Sequence, residues 1–196
     1  MNDIKALLQE SARWHSHLCP RQVLGVRMGL AGLAALGLDP NRGESKRLLL
    51  ISETDGCFVD GLIAVSGCTV GHRTLRVEDY GKPAATFVDV QVGRCLRVAP
   101  HGEVRARAAA FMPEQTDSYQ AQLLAYQSMP VEDMFVFQEV RLLQPIEQII
   151  SLPGLRVLCD GCGEEIMNAR EVLRAGQVLC QACAGAGYYC AAGEMD

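Results

Sequence analysis

The sequence predicts an α+β fold, with helices packed on a mixed or antiparallel sheet, followed by a small four-cysteine zinc finger. Three observations carry this. Helical and strand-like periodicities alternate over the first 150 or so residues without the regular rhythm of a βαβ series. Of nine cysteines, five fall in the last stretch of about 45 residues. Apolar residues make up 49% of the 196-residue chain and charged residues 21%, enough for one medium core plus a small satellite module.

Ile4, Leu7, Leu8 and Ala12 recur at helical spacing, which predicts a first amphipathic helix over 3–14. A second helix is expected from Pro20 to Leu36, with proline at its first turn and Gly37 at its end. Its many small residues, Gly25, Gly29, Ala31, Gly32, Ala34 and Ala35, permit close packing. Each glycine costs roughly 1 kcal/mol relative to alanine, so tight burial has to offset them. Arg47–Glu53 reads as a buried strand, and the loop Thr54-Asp55-Gly56-Cys57 leads into a short helix over Phe58–Val65. Leu75–Glu78, Ala84–Val92 and Cys95–Val98 read as strands. Glu103–Met112 and Tyr119–Gln127 read as helices, the latter opened by Thr116-Asp117-Ser118, and Phe135–Leu142 as a last core strand. Composition shifts near Ser151-Leu152-Pro153-Gly154, dividing a core domain over 1–152 from a zinc finger over 153–196.

In the second domain, Cys159 and Cys162 form one CxxC pair; Cys180 and Cys183 form another after 17 intervening residues. That spacing suits a four-thiolate zinc site, and a module this short cannot bury enough apolar area to fold unaided. Two redox CxxC pairs are the competing reading, weakened by the absence of a thioredoxin-like βαβ context. Cys190 is left over and reads as a free thiol near the terminus. The last 45 or so residues carry three arginines against six acids, so the finger is expected to contact protein rather than nucleic acid.

The N-terminal segment His15-Ser16-His17-Leu18-Cys19-Pro20 places three metal-ligand types within five residues. In an extended segment alternate side chains share a side, so His15, His17 and Cys19 can converge on one ion, and Cys57 is a candidate fourth ligand. Cys19 and Cys57 both precede or open a predicted helix, a place that favours a thiolate. As candidate catalytic groups the sequence offers Cys57 as nucleophile, with Asp55, Asp60 or His72 as proton carriers. Asp55 and Asp60 also read as outer-shell partners of histidine or as plain helix-start carboxylates. Each histidine alone reads equally as a surface or core residue. The His/Cys donors suit zinc as the second metal, although iron or copper accepts them too. Cys95, in a strand-like run, reads as a buried small residue.

Lys and Arg total 18 against 23 Asp and Glu, a net charge of −5. With aromatics at 6%, this argues against nucleic-acid binding. The start of the chain carries Asp3 and Glu10 where a signal peptide would be basic, and no apolar run is long enough to span a bilayer. A cytoplasmic location without membrane association is therefore expected. No GxGxxG or GxxxxGK[ST] motif occurs.

Together, WHSHLCP, GVRMGL, TDGCFVDGLIAVSGCTVGH and the terminal double CxxC resemble the FmdE family, named for a component of formylmethanofuran dehydrogenase. The resemblance covers nearly the whole chain and implies an α+β core that associates as a homodimer, with an added finger of treble-clef type. The family's H-x-H-x-C-P motif falls on His15, His17, Cys19 and Pro20; D-G-C on Asp55, Gly56 and Cys57; and G-C-T on Gly67, Cys68 and Thr69. Arg21 stands where the family commonly has glycine, and His72 where it commonly has lysine. The implied function is that of a metal-binding accessory or interaction protein of a molybdenum or tungsten oxidoreductase or another C1-metabolism system. The alternative is a free-standing metalloenzyme acting on a small thiol, amide or one-carbon substrate.

Overall fold

The structure is a computed structural model that describes residues 3–13, 15–41, 43–150, 152 and 154–190. Trp14 of the HxHxC segment, Arg42 of the turn after the second helix, and Ser151 and Pro153 of the expected boundary lie outside the described residues. The chain divides into two compact units, Met1–Leu143 and Gln144–Asp196.

The first unit opens with α1 (Ile4–Ser11), capped where the Asp3 carboxylate accepts a hydrogen bond from the Lys5 N–H. α2 (Pro20–Leu36) starts with proline at a position that needs no N–H donor. It ends at Gly37, whose left-handed φ of 69° suits a residue without Cβ. β1 (Leu48–Ser52) then feeds α3 (Cys57–Ser66) through a tight loop, in which Gly56 takes φ 75°, ψ −160°, a conformation reserved for glycine. β2 (Leu75–Val77), β3 (Ala85–Asp89) and β4 (Arg94–Pro100) follow. Next come α4 (Val104–Phe111), α5 (Ser118–Ser128), the single turn α6 (Val131–Met134) and β5 (Phe135–Glu139). The five strands form one mixed sheet in the order β2-β1-β3-β4-β5: β1 and β2 run parallel, and every other pair is antiparallel.

The core is built where α2 and α3 cross over the sheet. A Cβ on Gly25 would run into the Phe58 carbonyl oxygen, and one on Gly61 into the Gln22 carbonyl oxygen, so the two helix backbones are in near contact. Gly29 faces Val65 and Gly32 faces the Phe87 ring in the same way. The small-residue face of α2 is thus covered within the protomer. Val23, Val26, Met28 and Leu33 of α2 meet Phe58, Leu62 and Val65 of α3, all at most 1% exposed. Each such side chain contributes roughly 1.5–3 kcal/mol on burial, which offsets the glycine cost. Phe135–Glu139 differs from the expected core strand. It is the edge of the sheet, and only Phe135 is buried, because β5 has a partner on one side alone.

The second unit contains the helical turn α7 (Ile146–Ile149) and two hairpins, β6 (Arg156–Leu158) with β7 (Glu165–Met167), and β8 (Val172–Arg174) with β9 (Gln177–Leu179). A five-residue helical turn, Ala182–Ala186, follows. Its core is small: Cys159, Ile166 and Leu179, with Val157 and Val178 against them.

Candidate metal centres

Each CxxC pair begins where a hairpin strand ends. β6 delivers Cys159 and the turn to β7 carries Cys162; β9 delivers Cys180 and the helical turn carries Cys183. The four Sγ atoms all lie within 4.8 Å of one another, and the Cys162 and Cys180 sulfurs are 3.9 Å apart. Tetrahedral zinc with Zn–S bonds of about 2.3 Å needs sulfurs about 3.8 Å apart, so the donor set fits that ion. Backbone donors complete the fit: the Gly161 and Cys180 N–H groups donate to Cys159 Sγ at 3.4 and 3.2 Å, and the Cys183 N–H to Cys180 Sγ at 3.4 Å. Backbone hydrogen bonds, that of Cys162 foremost, bring the Cys159 thiol down to about 6. The neighbouring sulfurs, led by Cys180, push Cys183 up to about 12. Four thiolates this close need a cation to coexist, and zinc supplies it. Cys190 lies outside the cluster and is exposed.

The core arrangement is different. Cys19 is the N-cap of α2, where its N–H donates to the Gln22 side-chain oxygen at 2.8 Å; Gln22, fully buried, in turn donates to the Ser11 carbonyl at 2.8 Å. This network fixes the end of the HxHxC segment onto α1. Cys57 opens α3, and its thiol is hydrogen-bonded with Cys19. Burial first, then the adjacent Cys19 sulfur, raises the Cys57 pKa, so the helix start does not by itself make Cys57 a thiolate as the sequence suggested. His15 Nε2 is 2.7 Å from Asp60 Oδ2, both about a third exposed. His17 is exposed, with Nδ1 3.0 Å from the Ser16 hydroxyl.

The structure therefore joins Cys19 to Cys57 and His15 to Asp60. Among the described residues it gathers no three of these donors as tightly as it gathers the finger's four. His72 is exposed, but with Asp60 it lines a cavity of about 300 Å³. Asp55 lines a second cavity, of about 210 Å³, with Arg21, Phe58 and Arg105. The latter's α4 and α5 wall escaped the sequence reading, because Arg105, Gln122 and Tyr126 sit in helices with no ligand-type spacing. Cys68 is fully buried, donates to the Leu48 carbonyl at 3.6 Å, and is pushed by burial to about 11; it is a packing residue. Cys95 is buried likewise.

Fold and donors thus define a mixed α+β protein carrying a C-terminal four-cysteine zinc finger. The family model described as "FmdE, Molybdenum formylmethanofuran dehydrogenase operon" matches residues 14–136, and the chain belongs to that family. The prokaryotic dksA/traR C4-type zinc finger model matches residues 153–189. A relative from Archaeoglobus fulgidus, described as a "Probable S-adenosyl-L-methionine-binding protein", is 29% identical over 96% of this chain. The chain spans about half of that relative, 55% of its length. A tungsten formylmethanofuran dehydrogenase FmdE-like protein from Syntrophus aciditrophicus shares the fold, with a TM-score of 0.60, 21% identity and 96% of each chain covered. Among the described residues, no helix is long and apolar enough to cross a membrane.

Proposed function

We propose that the protein is an accessory or interaction protein of a molybdenum or tungsten oxidoreductase or a related one-carbon system, acting as a homodimer in the cytoplasm. The zinc finger is its contact module. The observation that carries this reading is the four-sulfur cluster, a closed site with no position left for substrate. A closed zinc site builds a surface instead of performing a reaction, and the family's description refers to the operon of such an enzyme. The acidic net charge of −5 favours a protein partner over nucleic acid. The test is co-elution of the purified protein with the molybdenum or tungsten enzyme purified from the same source. Co-elution that is lost in Cys159→Ser supports the reading, and separate elution of the wild-type protein overturns it.

A second reading, a metalloenzyme using a His/Cys site in the core, is favoured by the contact of His15 with Asp60. A carboxylate on one imidazole nitrogen is the arrangement that orients a metal-binding histidine through the other. His15, His17, Cys19 and Cys57 would hold the ion, zinc by their donor types, and a metal there would polarise a carbonyl or acidify a bound water. Asp55, Asp60 and His72 remain its candidate proton carriers. Elemental analysis decides it: two zinc ions per protomer in the wild type and one in His17→Ala and Cys57→Ala. One ion in all three removes the core site.

A further inference from the structure

The cavity of about 210 Å³ in the core unit is bounded by the first turns of three helices, α2, α3 and α4, and by α5. Its walls are apolar and rigid. Leu24, Phe58, Val104 and Tyr126 are each at most 7% exposed, and Pro20, Pro83 and Pro100 complete them. Charge is confined to three exposed residues, Arg21, Asp55 and Arg105. None of the three makes an ion pair or side-chain hydrogen bond among the described residues. Arg27, Arg47, Arg94, Arg97 and Arg107 of the same unit are all engaged with carboxylates or carbonyl oxygens.

We propose that this cavity binds a small α-amino acid with an apolar side chain, its carboxylate held by Arg21 and Arg105 and its ammonium by Asp55. The size argues for it. At about 30 Å³ per water the space equals roughly seven waters, smaller than a nucleotide or drug-sized pocket. The charges argue for it as well. A simple carboxylate would satisfy the guanidiniums but would face Asp55 as a like charge, and an amine would face two cations. A zwitterion meets all three groups with opposite charge, while its apolar side chain replaces water against Leu24, Phe58 and Val104. The positive ends of the three helices reinforce the carboxylate side. The site is separate from the finger's cysteines and is independent of the core metal.

The test is an NMR titration of the isotope-labelled full chain with L-leucine, isocaproate and isoamylamine, the last two lacking the ammonium and the carboxylate respectively. The expected result is saturable shifts at Arg21, Phe58 and Val104 with millimolar L-leucine, and weaker binding of both analogues. Arg21→Gln or Arg105→Gln is expected to weaken L-leucine by about tenfold, the loss of one charge-assisted hydrogen bond. Asp55→Asn is expected to weaken L-leucine while leaving isocaproate as tight or tighter. These side chains are exposed, so the variants keep the fold, which the unperturbed remainder of each spectrum verifies. No saturable shift with L-leucine, isocaproate binding as tightly as L-leucine in the wild type, or three variants that bind like wild type would each overturn the proposal.

Discussion

At the scale of single residues, Cys159 shows how a backbone prepares a metal ligand. The Gly161 and Cys180 N–H groups stabilise its thiolate before any ion arrives, while crowding by the other sulfurs keeps Cys183 protonated. Binding zinc must therefore expel protons, and occupancy falls as pH drops. Cys159→Ser or Cys183→Ser removes a ligand from a unit whose own core is only a few side chains. Each is expected to expose the tail beyond Leu155 to rapid proteolysis while the core stays resistant, and a chelator should do the same to the wild type. Equal protection in the variants and the wild type would show that the tail's packing suffices. The Arg47–Asp89 ion pair gives a second residue-scale prediction. Asp89 is 2% exposed and its pKa is lowered, first by the hydrogen bond from Arg47, whose nitrogen lies 2.8 Å away. A depressed folded pKa means the pair's stabilisation is fully present above the ordinary aspartate value of about 3.9 and is lost as pH falls through the folded value. In urea titrations Asp89→Asn should unfold earlier than the wild type at neutral pH, and the gap should close on acidification through that window.

Among elements, the α2–α3 pair decides the core, and its glycines are the reason. Alanine is the better helix former by about 1 kcal/mol, but at Gly25 its Cβ meets the Phe58 backbone, which has no rotamer with which to yield. Gly25→Ala should therefore lose about 2 kcal/mol of stability net, within the range for overpacking, whereas Gly71→Ala, with open space around it, should be near neutral. Denaturant midpoints for the two variants check this. α2 was readable to its ends because Pro20 and Gly37 are local signals, and the small-residue stripe announced a close contact without saying with what. The strand β1 and helix α3 were similarly legible, one from a run of Leu and Ile, the other from the turn at Gly56. The β5 edge was not, since alternation in Phe135–Glu139 reports a strand while its place in the sheet depends on distant pairing. The finger's four ligands were legible because sequence spacing is itself the constraint there. His15 and Asp60 are 45 positions apart, and Arg21 and Arg105 are 84, so their meeting at one pair and one cavity is set by tertiary packing that no local pattern encodes.

For the whole molecule, the family resemblance implies a homodimer, but the small-residue face of α2 cannot be its interface. The stripe on α2 and the Leu62–Val65 stretch are covered by each other and by Phe87 within the protomer. The sheet edge offers a different surface. β5 ends the sheet, pairs among the described residues only with β4, and leaves Val136 50% and Phe137 38% exposed. An open edge carrying apolar side chains invites pairing with another strand, and natural proteins leave such an edge bare only at a cost in aggregation. A second copy satisfies it most simply, because two β5 edges related by a two-fold axis run antiparallel, each lending the other its free N–H and C=O groups. The expected species in sedimentation at micromolar concentration is therefore twice the 21.3 kDa protomer mass. Val136→Lys places a like charge on both sides of that axis and should shift the protein to monomer, with far-UV circular dichroism unchanged because the residue is half exposed. A wild-type monomer would contradict the dimer itself. A dimer indifferent to Val136→Lys would move the interface away from β5 and leave that edge for the partner the finger serves.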